Sequence, residues 1–181
     1  MRRPLAPPPL YYPGVVKYDL RIHHRRSLRL QAFDYSQAGA YSITICTHNR
    51  ELLLHDETLK ERVLSAWQDL VTRFPSIALD EFVIMPNHVH GIIMLRGATS
   101  GSGAARDAAS GAPTLGRLVR AFKSVSAIAA NEALGRLGQP FWQRNYYEHV
   151  IRDEEELNAV RRYIRDNPLN WSDDPDNPAN P

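Results

Sequence analysis

The chain has 181 residues, 43% of them hydrophobic, and a formal net charge of +2, which suits one compact domain with a buried core and loose ends. A single cysteine, Cys46, excludes an intrachain disulfide scaffold and points to a reducing compartment, and no run approaches the ~18 apolar residues of a membrane helix. The charge is uneven: residues 1–30 carry seven Lys/Arg and one acid, Asp19, whereas the tail from Asp173 onward is acidic and rich in Pro and Asn.

The opening MRRPLAPPPLYYPG has arginines but no apolar stretch of signal-peptide length, so a cytoplasmic protein is expected. Pro4, Pro7, Pro8, Pro9 and Pro13 forbid early regular structure, and residues 1–39 read as a basic arm carrying Arg25, Arg26 and Arg29. Such an arm suits a polyanionic partner or a plain solvated tail. AYSITICT, residues 40–47, is β-branched and aromatic and reads as a strand. Residues 56–73 read as an amphipathic helix through Leu59, Val63, Ala66, Trp67 and Leu70, stopped by Pro75.

IALDEFVIM, residues 77–85, reads as a second strand; Pro86-Asn87 is a turn signal, and HVHGIIML, residues 88–95, returns as a third strand. Residues 97–112, rich in Gly, Ala and Ser, read as a flexible loop. Thr114 to about Gly135 is helical, with Leu115, Leu118, Phe122, Val125 and Ile128 as its apolar stripe. PFWQRNYYEHVI, 140–151, reads as a fourth strand. A last helix is capped by Asp153, with Glu156 in capping-box position, and buries Leu157, Val160 and Ile164. Pro168 should end it and push Asn167 out of helical geometry. Residues 172–181 read as a disordered acidic tail, leaving 40–171 as the folded domain.

The order β-α-β-β-α-β-α predicts an α+β fold: a ferredoxin-like antiparallel sheet (β-α-β-β-α-β) with helices on one face and an extra C-terminal helix. Within it, MPNHVHGIIM puts two titratable rings in an apolar run. Side chains alternate along a strand, so His88 and His90 share one face with Ile92 and Met94. On that spacing alone the pair is equally two packed core-edge histidines or two neutral imidazole ligands of a metal. A third ligand has to come from elsewhere.

The last helix offers it. Tyr163 and Asn167 are four apart and share a face if the helix holds to its last turn. The Asn167 carboxamide oxygen would complete a two-nitrogen, one-oxygen set suited to Mg2+ or Mn2+. Tyr163 would then stand as nucleophile toward a metal-polarised phosphate. A phenol, with its pKa near ~10, ionises more readily than an alkyl hydroxyl and is a fair leaving group in return, so cutting and rejoining can proceed without ATP. Helix-edge tyrosines also simply snorkel, and Tyr146 and Tyr147 are rival nucleophiles. Arg117, Arg120 and Lys123 recur every three residues on the helix from Thr114, as either a solvated or a phosphate-contacting face. Tyr11, Tyr12 and Tyr18 of the arm are available for base stacking.

FVIMPNHVHGIIML, FWQRNYYEHVIRDEEEL and YIRDNP together resemble the REP-associated tyrosine transposases of the single-tyrosine HUH superfamily; AYSITICTHNR resembles their opening strand. The resemblance spans about residues 25–171. It implies a ferredoxin-like fold, cleavage of single-stranded DNA beside hairpins, a divalent Mg2+ or Mn2+, and a 5′-phosphotyrosine intermediate. His88 and His90 match the metal-binding histidines, Tyr163 the nucleophile, and Asn167 the polar third ligand, often Gln elsewhere. The family's W-E-H-x-I-R stretch appears as Tyr147-Glu148-His149-Val150-Ile151-Arg152, with Tyr for Trp and no role assigned to His149. The expected partner is single-stranded or hairpin DNA; monomer and homodimer stay open. The rival expectations are a DNA-hairpin binding module without cleavage and a metal-dependent hydrolase with a water nucleophile.

Overall fold

A computed structural model describes residues 34, 37–96, 113–174 and 176–180. Four strands, β1 (Gly39–Cys46), β2 (Ile77–Met85), β3 (His88–Leu95) and β4 (Tyr147–Ile151), alternate with three helices, α1 (Glu57–Arg73), α2 (Leu115–Ala133) and α3 (Glu154–Asp166). The sheet order is β2-β3-β1-β4, with every neighbouring pair antiparallel. This is the expected ferredoxin-like α+β arrangement, two split β-α-β units with their strands interleaved.

Each helix begins where the sequence supplies an acceptor for its unpaired backbone N–H groups. The side chains of Asp56, Thr114 and Asp153 accept from the N–H groups of Leu59, Arg117 and Glu156. The periodic apolar positions of α1, Leu59, Val63, Ala66, Trp67 and Leu70, are all buried. They pack with α2 against the sheet face that carries Tyr41, Ile43, Ile45, Val89 and Ile93. Gly91 is required on that face. A Cβ there would lie 2.7 Å from Trp67 and 2.9 Å from Phe82, whose rings stack at 4.4 Å beneath it.

The structure departs from the sequence expectations in five places. The helices do not share one face: α3 lies on the opposite side, burying Leu157, Val160 and Ile164 against Ile92 and Ile151. The fourth strand begins only at Tyr147, because residues 140–146 touch the sheet through an isolated Thr47–Trp142 bridge. On α2, Leu115, Leu118 and Phe122 are buried as expected, but Ile128 is 61% exposed and the buried stripe also takes in Val119, Ser126 and Ala130. Asn167 keeps right-handed helical angles, since the chain continues into a 3-10 helix, Asn167–Asp173, whose first turn takes Pro168 without losing a bond. The tail is not loose where it is described: the Asp176 carboxylate pairs with Arg50 at 2.6 Å and its carbonyl accepts from Asn87 Nδ2 at 2.6 Å. The Pro-rich arm with Arg25, Arg26 and Arg29, and the loop 97–112, lie outside the described residues.

Candidate metal and nucleophile site

The β2–β3 turn fixes the first histidine. Asn87 is fully buried, and its Nδ2 donates to the carbonyls of Arg50 and Asp176. Its Oδ1 therefore points the other way, toward His88 Nδ1 at 2.8 Å. An amide oxygen only accepts, so the His88 proton sits on Nδ1 and Nε2 presents a lone pair.

His90 is held in a similar way from β1. Thr44 faces it across the ladder, with Oγ1 2.7 Å from His90 Nδ1. A hydroxyl both donates and accepts, so the contact allows the tautomer in which Nδ1–H donates to Thr44 and Nε2 is bare. The two Nε2 atoms converge to 3.0 Å, the separation of two ligands on one small ion. Burial pushes the His88 ring down to about 2, with His90 and Arg50 adding to it, and burial alone pushes His90 down to about 4. Both rings are neutral at neutral pH, as metal ligation requires.

α3 closes the site. The Tyr163 ring packs edge-on against His90, centroids 5.4 Å apart at 73°. One turn later Asn167 is buried with its Nδ2 3.5 Å from His90 Nε2. Its buried Oδ1 accepts no hydrogen bond from any described residue. A half-turn of the carboxamide would exchange the two atoms and place that oxygen beside the imidazole pair. Two helix-turn neighbours thus converge on two histidines one pleat apart, because α3 crosses the face on which His88 and His90 lie.

The structure adds a residue to which no sequence pattern points. Asp174, buried to 7% exposure, puts Oδ2 3.9 Å from His88 Nε2, and one ligand atom each from His88, His90 and Asp174 falls within 4.8 Å of the others. Burial raises its carboxyl above the usual range. The 3-10 helix after Asn167 delivers it there, with Trp171 6.1 Å from the His88 ring. Trp171, the last residue of the expected folded domain and only three positions before Asp174, was the available signal. A buried carboxylate, an unpartnered buried carboxamide oxygen and two neutral converging imidazoles form a donor set that fits a hard divalent cation.

The other candidates disperse. Lys123 is turned inward, its ammonium donating to the Gln143 and Arg144 carbonyls. The Arg117 guanidinium lies over the Phe74 ring at 5.6 Å. Arg120 is exposed and lines a cleft with Lys123. Tyr147 faces Thr44 across the β1–β4 ladder, whereas Tyr146 lines the cleft. His149 pairs with Glu156 at 2.7 Å, and the other Glu156 oxygen accepts from the Arg152 N–H, tying β4 to the first turn of α3.

No family model matches the chain. An uncharacterized protein of Haemophilus influenzae is 38% identical over 176 residues, spanning 87% of this chain and 96% of that protein. Among solved structures, a REP-associated tyrosine transposase bound to a REP hairpin aligns with 81% of this chain and 72% of its own, at 22% identity and a TM-score of 0.52. A transposase-like structure from Deinococcus radiodurans R1 aligns at 20% identity over 72% of this chain and 91% of its own, with a TM-score of 0.46. The chain belongs to one family with the Haemophilus influenzae protein, and its fold is that of a REP-associated tyrosine transposase.

Proposed function

We propose that the protein is a metal-dependent single-stranded DNA endonuclease and strand transferase, a transposase-type enzyme that works through a 5′-phosphotyrosine intermediate beside hairpin-forming DNA. The observation that carries the proposal is the convergence of His88 Nε2 and His90 Nε2 at 3.0 Å with the Tyr163 ring against His90. Likeness of fold to a transposase bound to a REP hairpin supports the choice of substrate class.

In this proposal His88 and His90 supply two nitrogen ligands, with oxygens from Asn167 and Asp174. The bound ion, Mg2+ or Mn2+, would polarise a non-bridging phosphate oxygen and neutralise the charge that builds there. Asn87 and Thr44 hold the two rings in register and set their tautomers. Tyr163 is the nucleophile: its phenolic oxygen bonds to phosphorus, the P–O3′ bond breaks, and the released oxygen leaves as a 3′-hydroxyl. The phenolic proton is lost in the same step, so charge balances. A 3′-hydroxyl attacking the phosphotyrosine reverses these changes and joins strands without a nucleotide cofactor.

Incubation with Mn2+ and an oligonucleotide carrying a hairpin with single-stranded flanks should give a covalent protein–DNA adduct that chelator prevents. Adduct formation that is unaffected by chelator and by His88→Ala/His90→Ala would remove the metal from the mechanism. Strand cutting that persists in Tyr163→Phe would point instead to a water nucleophile.

A further inference from the structure

A second feature lies around the β4 edge of the sheet. A cleft of about 570 Å3 opens between α2 and residues 139–146, lined by Arg120, Lys123, Arg144, Asn145, Tyr146 and Glu148 among others. Its size is in the range that accepts a group as large as a nucleotide, roughly 300–1,000 Å3. Arg120, Arg144 and Asn145 are exposed, and Tyr146 is half-buried against the core. The wall bearing Arg144 is fixed from behind: Lys123 donates to the carbonyls of Gln143 and Arg144, Gln143 N–H donates to Cys46, and the Phe141 carbonyl accepts from His48. The backbone of that wall is therefore fixed in place.

We infer that this cleft binds an unpaired nucleotide of a DNA single strand, Arg120 and Arg144 holding backbone phosphate, Tyr146 stacking on the base and Asn145 facing its edge. Two guanidiniums beside an aromatic platform match the two components of single-strand recognition, charge for the backbone and a ring for the base. The cleft lies on the α1–α2 face, across the sheet from the His88–His90 pair. Tyr147, the residue after Tyr146, sits opposite Thr44 in the ladder, and Thr44 touches His90. Within the sheet β4 lies two strand spacings, about 10 Å, from β3. A strand seated in the cleft has to round the β4 edge of the sheet to reach Tyr163 on the α3 face. This inference rests on the proposed cleavage reading for the strand's destination, but binding in the cleft is independent of cleavage.

The test is fluorescence anisotropy of a labelled hairpin oligonucleotide with unpaired flanks, without metal, in a Tyr163→Phe background. Arg120→Ala/Arg144→Ala should weaken binding at least tenfold and lower the slope of log affinity against log salt by about 1.4, two phosphates at about 0.7 each. Arg62→Ala/Arg73→Ala, which removes the same charge from α1, should change neither by more than about twofold. Tyr146→Leu should weaken binding roughly tenfold, whereas Tyr146→Phe, which keeps the ring, should not. Affinity and salt slope unchanged in the cleft double variant would overturn the inference, as would equal losses in the α1 variant. Failure of the cleavage reading would show separately, as absence of the covalent adduct with unmodified protein.

Discussion

His88 and His90 are neutral because they are buried, and their neutrality has two consequences that can be measured. In the unfolded chain both rings titrate near pH ~6.5; in the fold they titrate at about 2 and about 4. The unfolded state therefore binds more protons between those values, and stability held above about pH 6.5 is lost as pH falls toward 4. For His90 alone the loss is on the order of 3 kcal/mol by pH 4. Urea midpoints across this range should fall more steeply for the wild type than for His88→Gln/His90→Gln; parallel slopes would contradict the assignment. Above that range, protons do not compete for the ligand nitrogens, so Mn2+ affinity should be nearly flat from pH 6.5 to 8. Thr44→Val leaves His90 Nδ1 without its hydroxyl partner and should lower Mn2+ affinity by roughly 10–100-fold, read by calorimetric titration. Asp174→Asn should also weaken it; unchanged affinity would leave Asn167 as the oxygen ligand.

At the scale of elements, the proposed chemistry depends on the placement of α3, which carries Tyr163 and leads directly into Asn167. Its apolar stripe seats it on the face opposite α1 and α2. Polar ties fix its rotation: Arg161 grips the Asp80 carboxylate with Nη2 at 2.6 Å and Nε at 3.0 Å, Arg165 reaches Glu81 at 3.3 Å, and Glu156 meets His149. Asp80 and Glu81 are placed for this by the irregularity in β2 between Leu79 and Phe82. The Arg161 bond holds the Asp80 carboxyl below the usual carboxylate range. Asp80→Asn should cost about 1–2 kcal/mol, a charge-assisted bond at a partly exposed site, and lower the melting temperature by roughly 2–8 °C. It should also slow adduct formation at saturating Mn2+, where a purely local effect on β2 would not. Gly91→Ala on the other face should destabilise by about 1–3 kcal/mol through overpacking against Trp67 and Phe82, with Mn2+ affinity retained.

Across the whole molecule, the legible parts of the sequence were those in which one local rule dominated. Strict bounds for β2 and β3 followed from an apolar run, a Pro-Asn turn and a second apolar run. The His88–His90 face followed from strand alternation, and Tyr163 with Asn167 from helix spacing. What was hidden depended on contacts distant in sequence. The side of the sheet that α3 covers is set by which face of β3 remains apolar after α1 and α2 have packed. Residues 140–146 look like a strand, yet Lys123 captures their carbonyls and the ladder begins only at Tyr147. Asp174 reads as one acid in a polar tail; only the 3-10 helix through Trp171 and the Asp176 tether to Asn87 and Arg50 carry it to His88. No helix among the described residues is long and apolar enough to cross a membrane.

Tyr163, and no other tyrosine, is proposed to attack phosphorus beside the imidazole pair. Protease digestion of the trapped protein–DNA adduct, followed by mass spectrometry of the nucleotide-bearing peptide, tests it most directly. The modification should map to Tyr163 in the peptide containing YIRDNP. A nucleotide on Tyr146 or Tyr147 instead would contradict the account.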